Sequence, residues 1–471
     1  MRLPILAAVA ASAAAAPVHA QETPQQAADA YFAPRVPADA PGCAVAASQA
    51  GKKVLDRAYG MADLEHGVPN TPGTVFEAGS ASKQFTAAAI LLLAEEGKLA
   101  LTDDIRKYLP EIRDYGSPIA IDHLLHHTNG MRDWRFVRAV GGQMIGYHVS
   151  SNADALDTAT RQRALNHAPG AEYAYTNTGY NLAAVIVERV SGKTLAQYSK
   201  EKIFDPLGMG STQWRDDFRR IVKNRAVAYS ASGGGFKWDM PFENAYGAGG
   251  LLTTTGDLLL WNQALDDSRL GPRVTARLQE QGSLTSGAKT SYARGLFIQS
   301  YRGTREVSHG GVTLGYVAFL ARFPEHQVSV AVLCNRSSAN PSEIAHHIAD
   351  RLLPANLSAP APTPATAPAP DTSRRELWRP AAAELRQLVG RYRSDEAGAT
   401  YLAEVKGERL VLRLEGDPDT THSLSPTYRD TFVFVGGSIR FERTKAGAAA
   451  GMSLSASRIR GLPFQKIEAA R

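Results

Sequence analysis

The chain has 471 residues, of which 44% are hydrophobic and 21% charged. That composition excludes disordered, collagen-like and membrane-embedded classes and leaves room for about two to three soluble domains. The formal net charge is +6, but residues 1–373 hold 35 Lys and Arg against 34 Asp and Glu, while residues 374–471 hold 17 against 12. The long first part is near neutral, so no nucleic-acid partner is expected.

Arg2, an apolar run over 3–16 and the small residues Val18 and Ala20 read as a secretory signal over residues 1–20. The run is 14 residues long, short of the roughly 20 that cross a bilayer. No stable membrane anchor is expected, and the chain is expected to be secreted or periplasmic after cleavage near Ala20. Residues 45–59 read as two strands with a turn at 49–53, and residues 81–97 as an apolar helix stopped by Gly97. Short helices and turns fill 120–290, and strands return at 294–301, 315–323 and 327–335. Asn340-Pro341-Ser342-Glu343 marks a helix start, with proline at the first helical position and an acid at the third, for a helix reaching 353. Strands at both ends and helices between them predict an α/β (α+β) domain over 30–353. Its sheet is antiparallel and built from both ends, with helices on both faces and an inserted helical region.

Residues 354–373 are a spacer: in 354–372 six of 19 residues are proline and six alanine, which favours an extended chain over a core. Residues 380–471 alternate around 400–405, 409–414, 431–435 and 438–443, with turns at Lys406-Gly407 and Gly436-Gly437. This predicts a small antiparallel β-barrel or sandwich. Its basic excess reads as a solvated face or as a module for anionic surfaces. Its place in the chain suits a body that borders a cleft and limits substrate size.

Ser80-Ala81-Ser82-Lys83 has an S-x-x-K spacing at the head of the apolar helix. One turn apart on a helix, Ser80 and Lys83 share a face. The positive end of the helix disfavours an ammonium and leaves the Ser80 N–H pointing at a developing oxyanion. The bland alternative is a serine that only caps the helix. A second copy, Ser286 to Lys289, lies in a Gly/Ser/Thr-rich loop with no apolar helix after it and reads as chance.

Gly79-Ser80-Ala81-Ser82-Lys83 followed by Phe85-Thr86-Ala87 resembles the active-site helix of the serine β-lactamase and penicillin-binding-protein superfamily. The likeness is closest to the branch of class C β-lactamases, D,D-carboxypeptidases and D-aminopeptidases. Gly60-Met61-Ala62-Asp63, Tyr108-Leu109-Pro110-Glu111, His123-Leu-Leu-His-His-Thr-Asn-Gly130 and Gly247-Ala-Gly-Gly-Leu-Leu-Thr-Thr-Thr-Gly-Asp257 are similar to family segments and fall in family order. In resembling enzymes a lipocalin-like barrel follows the hydrolase domain.

The resemblance implies further residues. Tyr175 and Asn177, in a Y-x-N spacing ahead of a helix at 180–190, imply a proton relay to the leaving group and a hydrogen bond to the substrate amide. Lys83 beside it is expected to lower the Tyr175 pKa. Tyr173 and Tyr180 read as packing aromatics. Ser308-His309-Gly310-Gly311-Val312 matches the strand that edges the family's cleft. His309 and Gly311 then bind substrate, Gly310 and Gly311 let its backbone lie against the strand, and the Val312 N–H completes the oxyanion hole with Ser80. Lys289-Thr290-Ser291 imitates this element but lacks the glycine. A histidine rather than lysine at 309 gives a weak, pH-dependent charge, which suits D-aminopeptidase, carboxypeptidase or esterase activity better than β-lactam hydrolysis. In the resembled fold the first and last strands are neighbours, so Cys43 and Cys334 are candidates for a disulfide.

His123, His126 and His127, and the pair His346-His347, lack the carboxylate spacing of a zinc site. No metal and no cofactor is expected. These readings give a secreted serine hydrolase that acts through an acyl-enzyme on amide or ester bonds of D-amino-acid peptide, ester or β-lactam substrates, peptidoglycan fragments among them. The alternative is a non-catalytic scaffold or peptidoglycan-binding protein of the same fold.

Overall fold

The computed structural model describes residues 22–144, 146–358, 378–417 and 419–468. The signal at 1–20 and the spacer beyond residue 358 lie outside them. Within the described residues, Ala50 at φ +48° and Gly51 at φ +73° turn the chain between β1 (Cys43–Gln49) and β2 (Lys52–Tyr59). The sheet is completed by β3 (Phe297–Tyr301), β4 (Thr304–Thr313), β5 (Tyr316–Phe323) and β6 (Val328–Cys334). Its order is β3-β4-β5-β6-β1-β2, and every pairing is antiparallel. The two chain ends of the domain thus meet at β6 and β1, where Cys43 stands opposite Cys334 and the two form a disulfide.

Six helices position this sheet and the cleft: α1 (Pro24–Phe32), α2 (Lys83–Glu95), α3 (Trp134–Val140), α4 (Asn177–Ser191), α5 (Thr255–Asp266) and α6 (Pro341–Ala349). Strand β6 is buried along its whole length, because the sheet is covered on both faces and both sides of each central strand are therefore apolar. Val45, Ala47, Val330 and Val332 pack with Phe32 of α1 and Ile344 of α6. Their neighbours Ala44, Ala46, Ala331 and Leu333 pack on the other face with Leu258 and Trp261 of α5 and with α2. Phe32 stacks on Tyr59 at 4.1 Å, so the domain begins with α1, ahead of the expected boundary at 30.

The C-terminal region is a closed barrel of eight antiparallel strands. These are β7 (Gly390–Ser394), β8 (Ala399–Lys406), β9 (Arg409–Leu414), β10 (Thr421–Tyr428), β11 (Thr431–Phe434), β12 (Gly437–Arg443), β13 (Ala449–Ala456) and β14 (Ile459–Ile467). The alternation visible in sequence marks β8, β9, β11 and β12. The others carry weak strand formers: Pro426 in β10, Ala-Ala-Gly at the head of β13, and Gly461 and Pro463 in β14. Closure holds them, since each pairs on both sides. Trp378 packs on Phe432 at 5.7 Å, so the barrel unit also starts before the expected 380. Val137 of α3 is buried in the barrel's own apolar cluster.

Candidate functional site

The predicted single helix over 81–97 is two elements. A 3₁₀ turn over Gly79–Ser82 precedes α2, which begins at Lys83. The Ser82 hydroxyl donates to the Gly79 carbonyl at 2.5 Å and accepts the Leu251 N–H at 3.1 Å, which ties the tight turn to the glycine-rich segment. Gly79 sits at φ +50°, and a Cβ there would lie 2.7 Å from the Val312 nitrogen. A Cβ on Gly311 would lie 1.9 Å from the Ala78 carbonyl oxygen and 3.0 Å from the Ser80 nitrogen. The two glycines therefore let β4 and the Ser80 turn meet backbone to backbone, beside the two expected oxyanion donors Ser80 and Val312. That close approach to the protein's own turn, rather than room for a substrate backbone, is the reason for glycine at 311. Gly310 is different: a Cβ there would meet nothing nearer than Phe319 at 3.5 Å.

Lys83 is fully buried. Its Nζ lies 3.2 Å from Ser80 Oγ, 2.9 Å from Asn177 Oδ1 and 2.6 Å from the Ala248 carbonyl oxygen. Burial pushes its pKa well below the ordinary lysine value. The Arg458 guanidinium pushes the same way, against the opposing pull of Asp133. In the neutral amine two N–H groups satisfy the Asn177 and Ala248 oxygens, which can only accept. The lone pair is left for the Ser80 hydroxyl.

Tyr175 hydrogen-bonds Ser80 through its hydroxyl, and Lys83 Nζ lies 4.9 Å from its ring centroid. The expected lowering of its pKa is overturned. Burial of the phenol raises it, and the contact with Ser80 offsets only part of this. The Arg458 guanidinium over the ring also favours phenolate, but burial outweighs it and the hydroxyl keeps its proton to donate.

Asn177 is the first residue of α4, whose cap is Thr176. Its backbone N–H donates to Asp133 at 2.7 Å. Ser80, Tyr175, Asn177, His309, Gly310, Gly311 and Val312 line one cleft of about 700 Å³.

Residues 28–355 match the Beta-lactamase family. The chain belongs to that family. It is 27% identical to a D-aminopeptidase of Gluconobacter oxydans over 417 residues, which span 88% of this chain and 74% of the relative. It is 29% identical to penicillin-binding protein 4* of Bacillus subtilis over 316 residues, 62% of this chain and 67% of that one. The octameric penicillin-binding protein homologue from Pyrococcus abyssi superposes with a TM-score of 0.61 at 25% identity, covering 93% of this chain and 99% of that one. The D-amino acid amidase from Ochrobactrum anthropi SV3, at 21% identity and TM-score 0.59 over 70% of this chain and 96% of its own, shares the fold. The protein is a serine hydrolase.

Within this β-lactamase-family site, His309 departs from its expected role. The ring is 2% exposed. Its Nδ1–H donates to the Gly310 carbonyl at 2.5 Å, and its Nε2 accepts from the Tyr292 hydroxyl at 3.0 Å. Burial, with Lys83 adding to it, pushes its pKa down to about 3. The imidazole is neutral, and both nitrogens already serve the protein, so it offers substrate a ring edge rather than a hydrogen bond. Tyr292, which holds it, follows directly after the rejected Lys289-Thr290-Ser291 imitation and carried no signal of its own.

The structure adds further residues to the cleft. Asp133, fully buried, caps α3 and joins Asn177 to Arg458. Arg135 lines the cleft and is paired with Glu243 at 2.9 Å. Ala248 lies in the glycine-rich segment that the sequence does single out. The clustered histidines have protein roles: His123 accepts the Ala120 N–H, His126 faces Asp122 and Glu280, and His127 accepts the Thr176 N–H. Among the described residues no group of acidic, histidine or cysteine side chains has metal-holding geometry, and no helix is long and apolar enough to cross a membrane.

Proposed function

We propose that this protein hydrolyses amide or ester bonds through an acyl-enzyme on Ser80, with D-amino-acid peptides or amides as the favoured class and ester or β-lactam carbonyls as further electrophiles. The observation that carries this reading is the fully buried Lys83, whose Nζ has two carbonyl-type acceptors and one hydroxyl as partners. Lys83 takes the Ser80 proton as the oxygen attacks the carbonyl carbon. The Ser80 and Val312 N–H groups hold the oxyanion. Tyr175 donates its hydroxyl proton to the leaving nitrogen or oxygen as the C–N or C–O bond breaks, and the Lys83 ammonium, which holds the proton taken from Ser80, restores the phenol. Asn177 keeps its Nδ2 for the substrate amide. Water then attacks the ester, and the acid leaves. The names of the relatives support the amide side of this reading, as D-aminopeptidases recur among them.

The same proposal places the protein outside the cytoplasm, after removal of residues 1–20. The pattern of those residues supports this, and a disulfide between Cys43 and Cys334 suits an oxidising compartment. Peptidoglycan fragments, which carry D-amino acids, are the substrates that such a compartment offers.

Mass spectrometry after treatment with a fluorophosphonate tests the chemistry. The expected result is one adduct on the Ser80 peptide, absent in Ser80→Ala. No adduct, together with no turnover of D-amino-acid amides, esters or a chromogenic β-lactam, would overturn it in favour of a non-catalytic scaffold. N-terminal sequencing of protein from a native host is expected to begin at Gln21.

A further inference from the structure

Strands β13 and β14 of the barrel are joined by two residues, Ser457 and Arg458, with Ala456 pairing directly to Ile459. Ser457 holds φ +36°, a region that hairpin turns usually give to glycine or asparagine. The tip of this hairpin is fastened to the hydrolase domain. The Arg458 carbonyl accepts from Asn166 Nδ2 at 3.0 Å and from the Asp133 N–H at 3.4 Å. The Arg460 N–H donates to Asn166 Oδ1 at 2.8 Å, and the Arg460 carbonyl accepts from the Arg132 guanidinium at 3.0 and 3.2 Å. The backbone of Arg458 and of Arg460 beyond it is thus held, so the Arg458 side chain enters the cleft at a set place, among the residues that line it with Ser80, Tyr175 and Asn177.

The guanidinium lies 4.8 Å over the ring of Tyr175 and 5.4 Å from that of Phe136, and its Nη1 donates to Asp133 Oδ2 at 3.2 Å. Asp133 Oδ2 also accepts the Asn177 N–H, and its Oδ1 accepts the Arg135 N–H. Its oxygens are shared among the site's own groups. The Arg458 side chain remains 35% exposed, with the rest of its planar fork of donors facing solvent and cleft. Such a fork matches a carboxylate through two parallel hydrogen bonds. An ammonium in the same place would be repelled. Tyr175 spans the gap, since its hydroxyl is on Ser80 and its ring is under Arg458. An anion bound at Arg458 would therefore lie about one aromatic ring from a carbonyl at Ser80, on the Tyr175 side of the cleft.

We propose that Arg458, supplied by the barrel, is a specificity-determining residue that binds a carboxylate on the leaving half of the substrate. This rests on the acyl-enzyme reading above and deepens it. The carboxylate is either the α-carboxylate of the departing amino acid or an acidic side chain next to the scissile bond.

The test uses full-length protein and N-acyl-D-alanyl substrates that differ only in the leaving group: D-alanine, D-alaninamide, D-isoglutamine, and a D-alanine amide carrying an aminoethyl cation. Wild type is expected to show kcat/KM at least about 10-fold higher for D-alanine or for D-isoglutamine than for D-alaninamide, and lowest for the cation. Whichever carboxylate leads identifies the source. Arg458→Gln is expected to bring the carboxylate-to-carboxamide ratio near one, and Arg458→Lys to retain part of it. A wild type that prefers the carboxamide or the cation overturns the proposal without any variant. So does an unchanged ratio in an Arg458→Gln protein that keeps its melting temperature and its fluorophosphonate label. If wild-type Ser80 takes no label and no substrate turns over, the acyl-enzyme reading falls and this proposal with it. Turnover with an unchanged ratio removes only the role of Arg458.

Discussion

Lys83 Nζ lies 2.9 Å from Asn177 Oδ1, and this contact sets the direction of the lysine lone pair. An amide oxygen accepts one N–H and asks for no charge. Asn177→Asp would put an anion there and favour the ammonium. The expected outcome is a fall in kcat/KM at neutral pH of roughly 10²–10⁴-fold, the range for loss of a general base. The acid limb of the pH profile should move to higher pH. An unmoved limb would separate Lys83 from base catalysis.

The same lysine makes stability depend on pH. Its pKa in the folded protein lies below the ordinary lysine value because of burial. Between the two values the unfolded chain binds a proton that the folded chain does not. Stability therefore rises with pH across that window. Lys83→Met removes the group, so denaturant melts between pH ~7 and ~10 should show a shallower rise than wild type, with the difference in slope vanishing above the unfolded lysine pKa of about 10.4.

Adjacent glycines of β4 should respond differently to one methyl group. Gly311→Ala drives a Cβ into the Ala78 carbonyl and toward the Ser80 nitrogen. Activity should fall by roughly 10²–10³-fold, as for loss of an oxyanion donor, with a lower melting temperature. Gly310→Ala meets only ordinary contacts and should keep wild-type stability. Equal losses of stability in both would refute the close-approach argument.

Cys43 and Cys334 close a loop of sequence separation 291 across the centre of the sheet. Replacing both with serine should lower stability by about 2–4 kcal/mol and leave fluorophosphonate labelling intact. Two reactive thiols on titration of unfolded, unreduced protein would contradict the bond.

Much of the candidate site was legible because it is local. Ser80 and Lys83 are three residues apart, and Tyr175 and Asn177 two apart, so a helix turn or an extended segment presents each pair together. The resemblance of ordered motifs did the rest. His309 was legible as a position but not as a contact, because its state depends on Tyr292, which reaches it from another strand connection. The pKa of Tyr175 was misjudged because burial outweighs the lysine, and burial is a property of the packed cleft.

In the barrel, strands with strong alternation were visible and those with proline, glycine or alanine were not. The second kind are strands only because closure supplies both neighbours. Arg458 shows the same limit more sharply. In sequence it is one of many arginines in a basic region. In the structure it reaches the nucleophile's cleft, because Asn166, Arg132 and Asp133 hold a hairpin tip of the barrel in place.

The sequence by itself pointed to the family, to Ser80 and Lys83 as neighbours and to a barrel after the long domain, since short-range spacing and periodicity encode local geometry. The tertiary structure alone decided the direction in which the Lys83 pKa moves and the arginine that faces the cleft. Both depend on which distant groups packing brings together and how much water it excludes.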